Sequence, residues 1–292
     1  MLSYHEPLFR PPSEAYSLIL QITLGCAWNQ CAFCEMYSSK QFRIRSEKEI
    51  FAEIESLATD ARDIRKVFLA DGNAMVLSFD KMSRLLDKLK TTFPKLNRIS
   101  AYALARDIAA KTNEELKILS DKGLKLLYVG IESGDDELLQ AIHKGEDFTS
   151  TSKALQKARK AEIKLSVMIL NGLGGKNFSQ QHALNSAQLI NQIQPEYLST
   201  LVLSFPYGED HFKQKFKGEF IALSTIELIA EMKIFLENLE LENTIFRSDH
   251  ASNYLILRGN LNRNKQELLS RINDVLNDPK NAQLRPEWLR GL

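Results

Sequence analysis

An α/β chain whose parallel sheet curls into a partial barrel is what this sequence predicts. Three observations predict it. Short apolar, β-branched runs alternate with amphipathic helical stretches six times between residues 16 and 205. Several runs end in turn residues, as in Ala70-Asp71-Gly72-Asn73 and Asn171-Gly172-Leu173-Gly174-Gly175. Six such units joined by right-handed crossovers fall short of the eight that close a complete (β/α)₈ barrel. The expected fold is therefore a (β/α)₆ TIM-like partial barrel. No tandem repeat is visible, so the β-α rhythm is architectural.

Composition narrows the class. At 292 residues with 44% hydrophobic content, the chain can bury a core of good size as one large or two small domains. A net charge of +1 offers no bulk attraction to a polyanion, so no nucleic acid partner is indicated. No apolar run approaches the ~20 residues of a membrane span, and no membrane partner is expected. The first ten residues lack an apolar signal core, so the expected location is cytoplasmic.

In chain order, residues 1–15 read as an extended lead-in, because Pro7, Pro11 and Pro12 block helix. Tyr16 to Thr23 has the length and composition of the first strand. Ser46 and Glu49 form a capping box that opens a helix, with Ile50, Ile54 and Leu57 on one face. Val67 to Ala70 is the second strand, Met82 to Leu89 marks a helix, and Arg98 to Leu104 is the third strand. Thr112 and Glu115 cap the next helix, which Gly123 stops. Lys125 to Ile131 is the fourth strand, with helices to about His143 and over about 149–160. Ile163 to Leu170 is the fifth strand, Ser179 to Ile193 a helix and Tyr197 to Phe205 the sixth strand.

Beyond this core, Phe212 to Phe220 reads as a charged, exposed connection. Ser224 and Glu227 box the start of a helix striped with Leu228, Met232, Phe235 and Leu239. Thr244 to Arg258 mixes β-branched and polar residues and has room for a strand. Lys265 to Asn277 is helical, and Trp288 is read as a packing residue near the end. The expected organisation is lead-in 1–15, core barrel 16–211 and a mostly helical cap 212–292 that helps exclude water.

Chemistry concentrates in one loop. All three cysteines, Cys26, Cys31 and Cys34, fall within nine residues at the carboxyl end of the first strand, spaced C-x₄-C-x₂-C. Thiolates in such a cluster select iron–sulfur centres, zinc or Cu(I). A disulfide framework fails on the odd count. Structural zinc wants a fourth ligand, for which His5 is the nearest candidate before the loop, and no histidine stands at the usual spacing. On a [4Fe–4S] cube, three thiolates leave one iron open to a small molecule.

An apolar strand feeding a Gly25-Cys26 loop, with Phe33 before the third cysteine, resembles the radical S-adenosylmethionine (SAM) superfamily. The common family spacing is C-x₃-C-x₂-C, and this chain has one residue more in the first gap. The resemblance covers about residues 16–210. It implies a partial barrel of the radical SAM type, a [4Fe–4S] cluster held by Cys26, Cys31 and Cys34, and SAM as cofactor. It also implies a 5′-deoxyadenosyl radical, hydrogen abstraction from a small or medium organic substrate, and a reductant such as a flavodoxin or ferredoxin.

Other motifs extend the likeness. Asp71, Gly72 and Asn73 resemble the family's glycine-rich turn that meets the amino group of SAM; an ordinary left-handed turn is the alternative. Gly130-Ile131-Glu132-Ser133 resembles the Gly-x-Glu/Gln-Ser turn of the coproporphyrinogen dehydrogenase and methylthiotransferase branches. There the acid meets the SAM ribose, and a carboxylate can accept both hydroxyls of a diol. Lys144 stands where those branches carry a cation for the SAM carboxylate. Asn171 and Gly172 open a glycine motif similar to one that approaches adenine, and Tyr102 and Arg106 belong to the same sheet edge. Tyr207, Arg247, His250, Asn253 and Tyr254 are candidate substrate residues, against the alternative of ordinary loop bonding. A second cluster is not expected, since no further cysteines exist. A non-catalytic iron–sulfur or zinc-binding sensor or insertion protein on the same fold is the competing reading.

Overall fold

The computed structural model describes residues 4–58 and 63–291. Residues 1–3 of the expected lead-in and residue 292 of the expected cap lie outside them. By packing, the chain forms two compact units. One comprises Met1–Asn29, Cys34–Val129 and Lys153–Leu165; the other comprises Gln30–Phe33, Gly130–Ser152 and Ser166–Leu292.

The first unit contains β1 (Leu18–Gln21), β2 (Thr23–Leu24), β3 (Arg43–Ile44), α1 (Glu47–Ser56), β4 (Lys66–Ala70), α2 (Phe79–Thr92), β5 (Arg98–Tyr102), α3 (Ala105–Ala109), α4 (Asn113–Asp121) and most of β6 (Leu124–Glu132). β1 pairs β4, β4 pairs β5 and β5 pairs β6, all parallel, with Leu20 opposite Leu69 and Tyr102 opposite Tyr128. Fully buried Leu20, Phe68, Leu69 and Ile99 come from these strands, and Met82 and Leu86 from α2. Ser46 and Thr112 form the capping boxes that their sequences predict.

The first expected strand divides in two. Ile22 changes partner: its N–H donates to Ala70 of β4, while its carbonyl accepts from Arg45 beyond β3. From there β2 pairs antiparallel with β3, so the cysteine loop between them leaves and returns through one short ladder. Two-residue strands carry too little pattern to be read from sequence.

The second unit contains α5 (Asp136–Ala141), the start of α6 (Phe148–Lys160), most of β7 (Lys164–Asn171), α7 (Gly175–Ile193), β8 (Tyr197–Val202), α8 (Glu209–Lys215), α9 (Thr225–Glu237), β9 (Ile245–Ser248), β10 (Leu257–Asn260) and α10 (Leu261–Asn277). β7 and β8 are parallel, β8 and β9 are parallel, and β10 returns antiparallel to β9. The expected strand in 244–258 is thus β9, and its continuation turns back as β10.

Two expectations are corrected here. Phe212 to Phe220 is not an exposed connection. α8 and the turn after it bury Phe212, Phe216 and Phe220 in an aromatic cluster, with Phe212 and Phe220 centroids 4.7 Å apart. Only Phe212 lies in α8; Phe216 and Phe220 come from the turn after it, while Lys213, Lys217 and Glu219 are exposed. Trp288 does not pack: it is 81% exposed.

Candidate functional site

In the first unit, β4 ends at Asp71, a non-glycine residue at φ +66° and fully buried. Its Oδ2 accepts from the Gly25 N–H and from Lys40 Nζ, both at 2.9 Å. Gly25 opens the cysteine loop and Lys40 lies near its end. Gly72 packs on the same loop: a Cβ there would fall 2.7 Å from the Cys26 Cα and 2.8 Å from its Cβ. Only glycine tolerates that approach. The glycine-rich turn is therefore a seat for Cys26.

Asn73, also fully buried, donates through Nδ2 to Asp107 of α3, while its Oδ1 finds no partner. Arg106, the neighbour of Asp107, lays its guanidinium 3.9 Å from the centroid of the Trp28 ring. That stack ties α3 to the cysteine loop by a cation–π contact. Tyr102 packs edge-on against Phe68 and Tyr128, centroids 5.0 and 6.1 Å away. Tyr37 is buried, and burial together with Asp71 raises its hydroxyl well above the ordinary tyrosine value.

In the second unit, Glu132 ends β6 at φ +68° and is 4% exposed. Its carboxylate folds back over Gly130, where a Cβ would sit only 2.1 Å from Oε1. The Gly-x-Glu pattern thus has a local cause: the glycine makes room for the acid. Lys144 Nζ donates to the Gly130 carbonyl at 2.7 Å and to Glu132 Oε1 at 3.3 Å. Oε2 is buried without a partner. Burial raises the Glu132 carboxyl above its usual range, against the pull of Lys144. Glu132 in turn holds the ammonium in its charged form.

Ser133 faces the other way. Its hydroxyl meets His182 Nδ1 of α7 at 2.8 Å and accepts from the Asp135 N–H at 3.0 Å. His182 Nε2 lies 3.9 Å from Glu231 Oε1 of α9. Glu231 accepts from the Gly172 N–H at 2.7 Å and from the Ser179 hydroxyl at 2.6 Å. Asn171 donates to the Leu228 carbonyl at 3.0 Å, and a Cβ on Gly172 would strike Leu228 at 2.5 Å. The glycine motif after β7 is committed to holding α9. Burial lowers His182 below its ordinary value, so the ring is neutral near neutral pH.

The expected substrate residues are scattered within this unit. Tyr207 is 60% exposed and stacks edge-on with His211. Arg247 points outward from β9. His250 Nδ1 meets the Ser252 hydroxyl at 2.9 Å, and Tyr254 donates to Glu287 at 2.8 Å. Asn253 donates to the Thr200 carbonyl at 2.8 Å, and its Oδ1 is buried without a partner. Asn253 and Tyr254 line a small cavity of about 20 Å³ with Asn171, Val202, Leu228 and Met232. Those two residues share a cavity; Tyr207, Arg247 and His250 do not line it.

The cysteines are half-buried, and none is in a disulfide. Cys31 is followed by Ala32, whose N–H donates to the Ile142 carbonyl at 2.9 Å, and by Phe33, which packs on the aromatic cluster. Among the described residues, no three His, Cys, Asp or Glu side chains gather as ligands of a single ion. In the first unit, soft thiols and a glycine seat against Cys26 fit ligation of an iron–sulfur cluster; in the second, the unpartnered Glu132 oxygen fits a hydroxyl donor. Sequence reading missed Trp28, Lys40, His182 and Glu231. Glu231 alone carried a signal, lying three residues after Leu228 and four before Phe235 on the buried stripe of α9.

Comparison with known proteins defines the class. The sequence profile described as the Radical SAM superfamily matches residues 20–187, more than half of the chain. The protein belongs to that superfamily. It is 27% identical over 135 residues to the heme chaperone HemW of Bacillus subtilis, covering 44% of this chain and 35% of that protein. It is 24% identical over 230 residues to a putative methylthiotransferase of Methanocaldococcus jannaschii, covering 72% and 49%. The structure of coproporphyrinogen III oxidase HemN from Escherichia coli superimposes with a TM-score of 0.55 at 17% identity, over 76% of this chain and 52% of that one. The fold is thus the α/β partial barrel of the radical SAM type. The chain spans about half or less of the length of the curated relatives it matches.

Proposed function

We propose that the protein is a radical SAM enzyme acting on a small or medium organic substrate, with Cys26, Cys31 and Cys34 holding one [4Fe–4S] cluster. Membership of the superfamily over residues 20–187, which include the whole cysteine loop, is the observation that carries the reading. Together, cluster and SAM supply reductive cleavage of the sulfonium to methionine and a 5′-deoxyadenosyl radical that abstracts hydrogen.

The chain's own residues bind, orient and shield. Gly72 and Asp71 seat the loop start. The unpartnered Glu132 oxygen offers an acceptor for a ribose hydroxyl, and Lys144 supplies a fixed positive charge beside it. The remaining candidate cofactor residues hold their own surroundings: in the first unit Asn73 donates to Asp107, Arg106 stacks on Trp28 and Tyr102 packs on Phe68, and in the second Ser133 meets His182 while Asn171 and Gly172 hold α9. Of the five candidate substrate residues, Asn253 and Tyr254 share a small cavity at the carboxyl ends of β7 to β9, and Tyr207, Arg247 and His250 remain candidates with them. A low-potential donor such as a flavodoxin or ferredoxin supplies the electron. A cytoplasmic location suits the oxygen-sensitive centre, and no described helix is long and apolar enough to cross a membrane.

Anaerobic reconstitution with iron and sulfide, then SAM and dithionite, tests the reading. Methionine and 5′-deoxyadenosine should appear, and Cys26→Ala, Cys31→Ala or Cys34→Ala should each abolish them. Similarity to a heme chaperone favours a second reading, a cluster protein that binds and delivers without turnover. A stable cluster with no methionine released would select it.

A further inference from the structure

The cysteine loop is held at both ends by one carboxylate. At its start, the Gly25 N–H reaches Asp71 Oδ2 at 2.9 Å. Near its end, Lys40 Nζ reaches the same oxygen at 2.9 Å and also donates to the His5 carbonyl at 2.7 Å and the Pro7 carbonyl at 2.6 Å. All three ammonium protons therefore have acceptors. The Lys40 side chain is 8% exposed and that of Asp71 is 0% exposed. Such a pair gains little over an apolar one of the same size, because desolvation offsets the attraction. What it adds is directional geometry. Gly25 lies flat on Lys40, where a Cβ would come within 3.3 Å of the Lys40 Cβ, and Gly72 lies flat on Cys26. The second Asp71 oxygen is buried and unpaired, a cost tolerated at the end of β4.

We propose that Lys40 and Asp71 form a latch that closes the cysteine loop and sets the spacing of its thiolates before the cluster is bound. They are positioning residues and act through the backbone of residues 25–40. The latch rests on the cluster reading above. Pinning both loop ends removes the loop-closure entropy that cluster binding would otherwise have to offset. It also accommodates the extra residue between Cys26 and Cys31, since the loop's span is fixed at Gly25 and Lys40 whatever its length between.

Lys40→Met keeps the bulk and removes the charge; Asp71→Asn keeps the shape and an acceptor; Lys40→Arg keeps the charge. The full chain is reconstituted anaerobically in each case. Iron loss to a chelator and the electron paramagnetic resonance spectrum of the reduced protein are then recorded beside the thermal midpoint of the apo chain. The expected result is iron loss about tenfold faster, with a broadened or shifted spectrum, in Lys40→Met and Asp71→Asn. Lys40→Arg should recover part of the retention; Asp71→Asn, which leaves the Lys40 ammonium buried without its counter-charge, should lower the apo midpoint by about 10 °C, so retention and spectrum are compared well below that midpoint. Wild-type retention and spectrum in both charge-removing variants would overturn the latch. Failure of the wild-type chain to take up iron would instead overturn the cluster reading.

Discussion

Replacing Lys144 by methionine strips the cation from a buried acid and has a pH signature that can be worked out. The Lys144 ammonium lies 3.3 Å from Glu132 Oε1 and 2.7 Å from the Gly130 carbonyl, with both charged side chains 5% exposed. Removing one partner of such a pair costs about 3–5 kcal/mol, because the other charge stays buried. Glu132 already titrates above its usual range. An acid whose folded pKa exceeds its unfolded value keeps protons that the unfolded chain has released. It therefore subtracts stability as pH climbs from the unfolded value through the folded one. Lys144 limits that subtraction, and without it the window widens upward. Thermal unfolding of the apo chain should show Lys144→Met below wild type by about 10 °C near pH 7.5. The gap should narrow at a second, lower pH, where the raised Glu132 carboxyl takes up its proton and no longer needs the cation. Taking the variant against wild type at each pH cancels the other carboxylates. A gap unchanged between the two pH values, or worth less than about 1 kcal/mol, would refute a charged pair at this position.

Three further outcomes follow from the geometry. Glu132→Gln should leave iron content unchanged and weaken SAM binding about tenfold by equilibrium dialysis, since a ribose acceptor becomes a donor; unchanged affinity would remove Glu132 from the cofactor site. Gly72→Ala places a methyl where the Cys26 backbone lies, so reconstituted iron should fall several-fold while circular dichroism keeps its α/β shape. Full iron loading would show that the loop has room to move. Glu231→Ala leaves the Gly172 N–H and the Ser179 hydroxyl without their acceptor and should cost about 2–4 kcal/mol in chemical unfolding.

Elements with a long period were legible from sequence. The helices opened by Ser46, Thr112 and Ser224 begin where their capping boxes place them, and the parallel strands from β4 to β8 fall within a few residues of their apolar runs. Short pieces were not legible. β2 and β3 exist because Ile22 exchanges one partner for another, a tertiary event with no local pattern. The aromatic cluster of Phe212, Phe216 and Phe220 was masked by the lysines between them, and since α8 ends at Lys215 no single period carries all three. At the site, cysteine spacing and the Gly-x-Glu turn announced themselves because each needs particular residues in sequence proximity. Lys40 did not: its partners are the backbone of residues 5 and 7 and a carboxylate 31 positions away. Asp71, Ser133 and Gly172 were found by motif, yet the atoms they commit to are those of Gly25, His182 and Glu231.

Mössbauer spectroscopy of protein reconstituted with ⁵⁷Fe, recorded with and without SAM, bears most directly on the whole account. About four irons per chain are predicted, with a single one shifting its parameters when SAM is added. A lone metal ion, or a cube whose irons all ignore SAM, would contradict it.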